Sequence, residues 1–111
     1  MNITGRGGTV TITGSNDLVT VTGSNDVVTL AGSNDTVAFE AAGFGKANVN
    51  GFDPSQDAIQ FNPALFANYI AVLGATQQSG PDTVITYDSH DSVSLSGVTA
   101  SSLTSNNFHF A

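Results

Sequence analysis

Thr13-Gly14-Ser15-Asn16-Asp17-Leu18-Val19-Thr20-Val21 is followed at once by Thr22-Gly23-Ser24-Asn25-Asp26-Val27-Val28-Thr29-Leu30, the same nine-residue unit written twice. A third Gly-Ser-Asn-Asp stands at Gly32–Asp35, and a worn copy, Thr4-Gly5-Arg6-Gly7-Gly8-Thr9-Val10-Thr11-Ile12, precedes all of them. After each turn the residues alternate in one constant phase. One face carries Val10 and Ile12, Val19 and Val21, Val28 and Leu30, Val37 and Phe39, and the other carries Thr11, Thr20, Thr29 and Ala38. Alternation of period two is the mark of a strand with one buried side. A period of nine between strands stacks them in parallel with a turn between each, so two half-coils make one winding and neighbouring coils recur at twice that period. The expected fold is mostly β: a parallel β-roll or β-solenoid over residues 1–50. Helix is a poor competitor, because β-branched residues and Gly-Ser-Asn turns dominate.

Composition narrows the function. The 111 residues are one domain's worth of chain. Nine acids stand against two bases, Arg6 and Lys46, for a formal net charge of −7. Nothing there neutralises phosphates, so an electrostatic nucleic-acid binder and a polybasic membrane anchor are both excluded. No apolar run reaches the roughly 18 residues of a membrane-inserted span, and the first twenty residues lack the basic start and apolar stretch of a cleaved secretory signal. With no cysteine, disulfides and thiolate chemistry are absent.

The repeated Asn16-Asp17, Asn25-Asp26 and Asn34-Asp35 carry two readings. Asn and Asp tolerate the left-handed backbone of tight turns and bond nearby amides, which makes them structural. Stacked about 4.8 Å apart, the same rows of carboxylates and turn carbonyls suit calcium, which takes six to eight oxygens in irregular geometry. Same-side turns lie two repeats apart, so Asp17 faces Asp35, whereas Asp26 faces Gly8 on one side and the Ala47 turn on the other. One complete acidic pair implies between zero and two ions, of weak affinity.

From Val49 the rhythm stops. Gly51–Phe61 reads as a turn between two short strands, with Phe52, Ile59 and Phe61 inward and with Asp53 and Asp57 as a further candidate metal pair or as turn residues. Asn62-Pro63 reads as an N-cap and first helical residue, with helix through about Thr76 and Leu65, Phe66, Tyr69, Ile70 and Leu73 on one face. Gln77–Asp82 is expected to be a loop, Thr83–Tyr87 and Ser92–Leu95 a hairpin, and Asn107–Phe110 a last strand.

The nine-residue period with Asp two positions before an inward aliphatic resembles the RTX, or haemolysin-type, calcium-binding β-roll, whose nonapeptide is G-G-x-G-x-D-x-U-x. Ile12–Thr20 keeps the Asp and the aliphatic without the glycines, and Ala42–Asn50 keeps glycines at its second and fourth positions with Ala47 in place of Asp. The C-terminal part is similar to the segment that follows the last RTX repeats, through Gly51–Ile59, Asp82–Ile85, Leu95–Val98 and Phe108–Phe110 in that order. The resemblance covers roughly residues 13–111. It implies calcium held by Asp17, Asp26 and Asp35 with Asn16, Asn25 and Asn34. It also implies a segment over 51–111 that closes the roll and carries an uncleaved signal for the type I secretion machinery, hence a secreted, extracellular protein of which this chain is the C-terminal piece.

No Gly-x-Ser-x-Gly elbow, His-Glu-x-x-His or phosphate loop occurs. His90 falls at a hairpin tip and His109 between two aromatics, both expected in solvent. Asp53-Pro54 reads as a turn rather than a cleavage site. The expectation is a non-catalytic module. Three roles fit it: calcium-supported folding and secretion; a metal-independent cap or oligomerisation unit; or a surface-binding module for ice or glycan. For the last, the Thr ladder leaves only pairs per face. An uncovered first coil would expose strand edges, so the expectation is either that upstream repeats belong before it or that two copies stack through that end as a homo-oligomer.

Overall fold

The computed structural model describes residues 2–3 and 8–110; the turn of the worn first repeat, at positions 4–7, lies outside them. Among the described residues, eleven strands form two sheets. The first runs β1 (Asn2–Ile3), β3 (Leu18–Val21), β5 (Thr36–Phe39), β7 (Ala58–Phe61), β11 (Phe108–Phe110) in spatial order. The second runs β2 (Thr9–Ile12), β4 (Val27–Leu30), β6 (Lys46–Asn50), β10 (Ser92–Leu95), β9 (Asp82–Thr86), β8 (Thr76–Ser79). From β2 to β7 the chain visits the sheets alternately, and the pairings among β1–β7, of β6 with β10 and of β7 with β11 are all parallel. Thr9 lies beside Val27 and Leu18 beside Thr36, an offset of two repeats in both sheets. The fold is mostly β, with parallel sheets and one helix.

The register then lengthens. Val27 pairs with Asn48 and Thr36 with Ala58, offsets of 21 and 22. The extra residues fall chiefly between Phe39 and Ala47, and they bring Phe44 into the interior. Its ring stands 4.9 Å from Phe39, which lies 5.8 Å from Phe61, which in turn meets Phe66 at 4.8 Å. These aromatics continue the aliphatic stack of Val19, Val28, Val37, Val49, Ile59 and Leu95, all fully enclosed. Aromatic pairs at such distances add to the area term that dominates burial. Phe52, Ile59 and Phe61 are buried as the alternation requires, and the hairpin of β9 and β10 is antiparallel.

Two expectations are corrected. The helix is short: α1 spans Tyr69–Ala75, capped by Asn68, whose side chain accepts the N–H of Ala71 at 3.0 Å. Asn62 caps a single turn only, accepting from Ala64 at 2.9 Å. Phe66 is drawn into the core, and Asn68 offers a second cap, so the backbone breaks before it restarts. The apolar face shifts with it: Val72 is buried, while Ile70 is 71% and Leu73 54% exposed. The expected loop at Gln77–Asp82 is in part a strand. Thr76–Ser79 pairs antiparallel with β9, and the Gln78 amide ties the turn by donating to the carbonyls of Gly80 and Asp82 at 2.9 and 2.8 Å.

Phe61→Ala is expected to lower unfolding stability by about 3–5 kcal/mol, and Ile70→Ala by no more than about 0.5 kcal/mol. Denaturant midpoints of the two variants check this. Comparable losses would return Ile70 to the core.

Candidate functional site

The turns that join the sheets are built on left-handed asparagines. Asn16, Asn25 and Asn34 have φ of 59°, 59° and 54°, a region that Asn enters at little cost. Their main chains touch those of neighbouring turns. Asn16 N–H donates to Ser33 O at 3.0 Å and Ser33 N–H to Gly14 O at 3.2 Å, while Asn25 N–H donates to Phe44 O at 3.2 Å. The approach is close enough that a Cβ on Gly32 would stand 1.2 Å from Gly14 O. Asn25 Oδ1 also accepts the N–H of Lys46 at 3.0 Å; Asn16 and Asn34 are both exposed.

Each repeated aspartate that has a described coil before it binds that coil. Asp26 Oδ1 accepts the main-chain N–H of Gly8 at 2.9 Å, and Asp35 Oδ1 that of Asp17 at 3.0 Å, both two repeats back. Asp57 Oδ1 continues the column by accepting Asp35 N–H at 3.0 Å. Asp26 and Asp35 are fully buried. In Asp17, Asp26 and Asp35 the second oxygen, Oδ2, is enclosed and has no hydrogen-bond partner among the described residues. A buried acceptor left unpaired is expensive, and more so when it bears charge.

That orphaned set is where calcium would fit. Asp17 and Asp35 supply two stacked carboxylates, and turn carbonyls with a free lone pair could add neutral oxygens. The fit is limited, because those carbonyls already accept turn-to-turn bonds and no three acidic or imidazole side chains gather among the described residues. Asp53 and Asp57 are engaged otherwise. Asp57 accepts from Asp35 on one oxygen and from Asp53 N–H on the other at 2.8 Å. Asp53 accepts the N–H and hydroxyl of Ser55 at 2.9 and 2.7 Å and the amide of Gln56 at 3.0 Å. The Ser55 hydroxyl, then its N–H, holds the Asp53 carboxyl below the ordinary 3.8, and the His90 N–H does the same for Asp88. A depressed folded-state pKa stabilises above the unfolded value and is lost as pH falls through the lower one; both groups lie in solvent, so the effect is small. His90 and His109 are exposed.

Sequence reasoning missed Asp91. It is buried, and its two oxygens accept the N–H groups of Gly45 and Gly43 at 2.8 and 3.0 Å. A signal existed: Asp91-Ser92-Val93-Ser94-Leu95 repeats the local pattern of Asp17-Leu18-Val19-Thr20-Val21 and of Asp57-Ala58-Ile59-Gln60-Phe61, without the spacing of nine. Buried Asn107 was also missed as an anchor. Its amide donates to the carbonyls of Pro54 and Asp57 at 2.7 and 2.9 Å, fastening β11 to the coil before it.

No protein-family model matches the chain, and no curated protein does. Among solved structures, the extracellular lipase LipA from Serratia marcescens is similar in fold, with a TM-score of 0.62 and 19% identity over 91% of this chain. This chain spans about a fifth of the lipase, 21% of its length.

Asp35→Ala removes a buried acceptor and strands the Asp17 amide, a loss of about 1–3 kcal/mol, whereas Asp35→Asn keeps an acceptor oxygen and is expected to cost less. Equal losses in thermal melts would deny the inter-coil bond its role.

Proposed function

We propose that the chain is a non-catalytic RTX-type β-roll module of an exported protein, held by its aspartate–amide columns and further stabilised by weakly bound calcium. The observation that carries this reading is the row of buried, unpartnered carboxylate oxygens on Asp17, Asp26 and Asp35, set beside parallel strands that pair two repeats apart. Like charges stacked in an enclosed turn favour a cation between them. Calcium is the hard, oxygen-seeking cation that tolerates few carboxylates and irregular geometry. The likeness to part of an extracellular lipase supports a secreted setting. In this reading the type I secretion machinery is the partner, and residues 51–111 close the roll.

Calcium here adds to a fold that already stands. The glycine-poor turns bond one another directly, through Ser15 and Ser33 and through Asn16 and Ser33, so the coil does not need an ion as its spacer. Stabilisation then follows mass action: about 2.7 kcal/mol at a hundredfold excess over Kd, and little near Kd.

Circular dichroism melts in excess chelator and in millimolar calcium test this. The expected result is a β spectrum in both, a higher melting temperature in calcium, and loss of that increment in Asp17→Asn. Identical melts would sink the calcium reading and leave a metal-independent β-solenoid cap. A coil spectrum in chelator would make the ion obligatory and overturn the account of self-sufficient turns.

A further inference from the structure

Asn50 is followed by Gly51, and no other asparagine of the sequence precedes a glycine. The pair is chemically distinct. With no Cβ on the second residue, the Gly51 main-chain nitrogen can approach the side-chain carbonyl carbon of Asn50, Cγ. The roll holds the two apart. Asn50 is the last residue of β6, a strand flanked by β4 and β10. Its side chain stands half-buried on the outer face, because its neighbour Val49 is fully enclosed. Thr29 lies beside it in register, and Val49 O accepts from Ser96 N–H at 3.0 Å. Gly51 then takes a φ of 75° against the end of β4, so close that a Cβ there would stand 2.3 Å from Leu30 O. The extended ψ of a parallel strand, about +115°, turns the Gly51 nitrogen away from the Asn50 side chain, and the contact with Leu30 keeps it there.

We propose that Asn50-Gly51 is a spontaneous modification site, protected in the closed roll and exposed when the end of β6 opens, and that one of its two products cannot rejoin the fold. Once β6 opens, the ψ of Asn50 is free to turn until Gly51 N, giving its proton to hydroxide, attacks Asn50 Cγ. The new bond closes a succinimide, the bond from Cγ to the amide nitrogen breaks, and that nitrogen takes up a proton and leaves as ammonia. Water then opens the ring at one of its two carbonyls. Addition at Cγ restores the main chain with an aspartate in place of the asparagine. Addition at the main-chain carbonyl carbon leaves isoaspartate, in which the chain runs through the side-chain carbons. The structure separates these products. Aspartate sets its carboxylate outward beside Thr29, where no enclosed group is disturbed. Isoaspartate adds a methylene to the main chain immediately before Gly51, where the backbone has no room to lengthen against Leu30 O. Chemistry in the open state thereby turns a reversible local opening into an irreversible one. Protection comes from strand pairing, so it stands or falls apart from the calcium reading.

The test incubates the whole chain in mildly alkaline buffer with millimolar calcium, where the roll is closed whether or not it needs the ion, and in parallel in strong guanidinium chloride. Peptide mapping by mass spectrometry, with isoaspartate told from aspartate by retention, reads the fraction converted. Conversion at Asn50 is expected to be at least tenfold slower in the closed roll than in denaturant, with Asn48, which precedes valine, unconverted in both. Val49→Ala loosens β6 without touching the pair; it should speed conversion in the roll several-fold and leave the rate in denaturant unchanged. After return to buffer, isoaspartate should be confined to the fraction that a protease digests, while Asn50→Asp should fold with a melt close to that of the parent chain. Equal rates in roll and denaturant, no conversion in denaturant, a Val49→Ala rate equal to the parent's, or isoaspartate within the protease-resistant roll would each overturn the proposal. Failure of Asn50→Asp to fold would also overturn it, by removing the difference between the two products.

Discussion

The fold depends on one bond made repeatedly: a buried aspartate oxygen accepting a main-chain N–H from the coil before it. Asp26 to Gly8, Asp35 to Asp17 and Asp57 to Asp35 are the same contact at successive levels. A turn between stacked strands has amides that no ladder partner can reach, and each must be met by a side chain, water or another turn. Aspartate meets it from below and fixes the vertical spacing at the same time. The valines and leucines then interlock because they arrive at the same height in every coil.

This explains which features were legible. Asp-x-aliphatic-x-apolar states both halves of the contact in five consecutive residues, a turn acceptor and an inward pair, so its recurrence at a period of nine fixes strand phase, parallel pairing and the two-repeat offset. Past Asn50 the contact persists while the spacing fails. Asp57 and Asp91 still sit immediately before strands and still accept turn amides, but their distance from the previous unit varies with loop length. A reading based on period loses them, and one based on the local pentapeptide would not. The helix was misjudged for a different reason: Leu65, Phe66, Tyr69, Ile70 and Leu73 fit a helical stripe, and nothing local shows that the core takes Phe66 and leaves Ile70 outside. Phe66 meets Phe61 and Tyr87, one on the strand before it and one beyond the helix, and this tertiary demand outweighs periodicity.

The candidate site was legible as a set of residues and not as a geometry. The Asn-Asp dipeptides sit where the repeat places them, yet the two residues divide the work. Asn takes the left-handed backbone, and Asp turns inward. Their side chains therefore do not form one ligand shell, and what remains for a cation is the orphaned oxygen of each aspartate.

Replacing glycine in these turns has a physical consequence for any ion. A glycine-rich turn leaves carbonyls unencumbered and free to point at a cation. Here Ser15, Asn16 and Ser33 bring the turns into direct hydrogen bonding, so carbonyls that could serve as ligands already serve as acceptors. The direct turn-to-turn bonds tie neighbouring coils together and occupy lone pairs that a cation would otherwise use. After the helix, β8 and β9 turn antiparallel and Asn107 fastens the short β11, which blunts those sheet edges against further pairing.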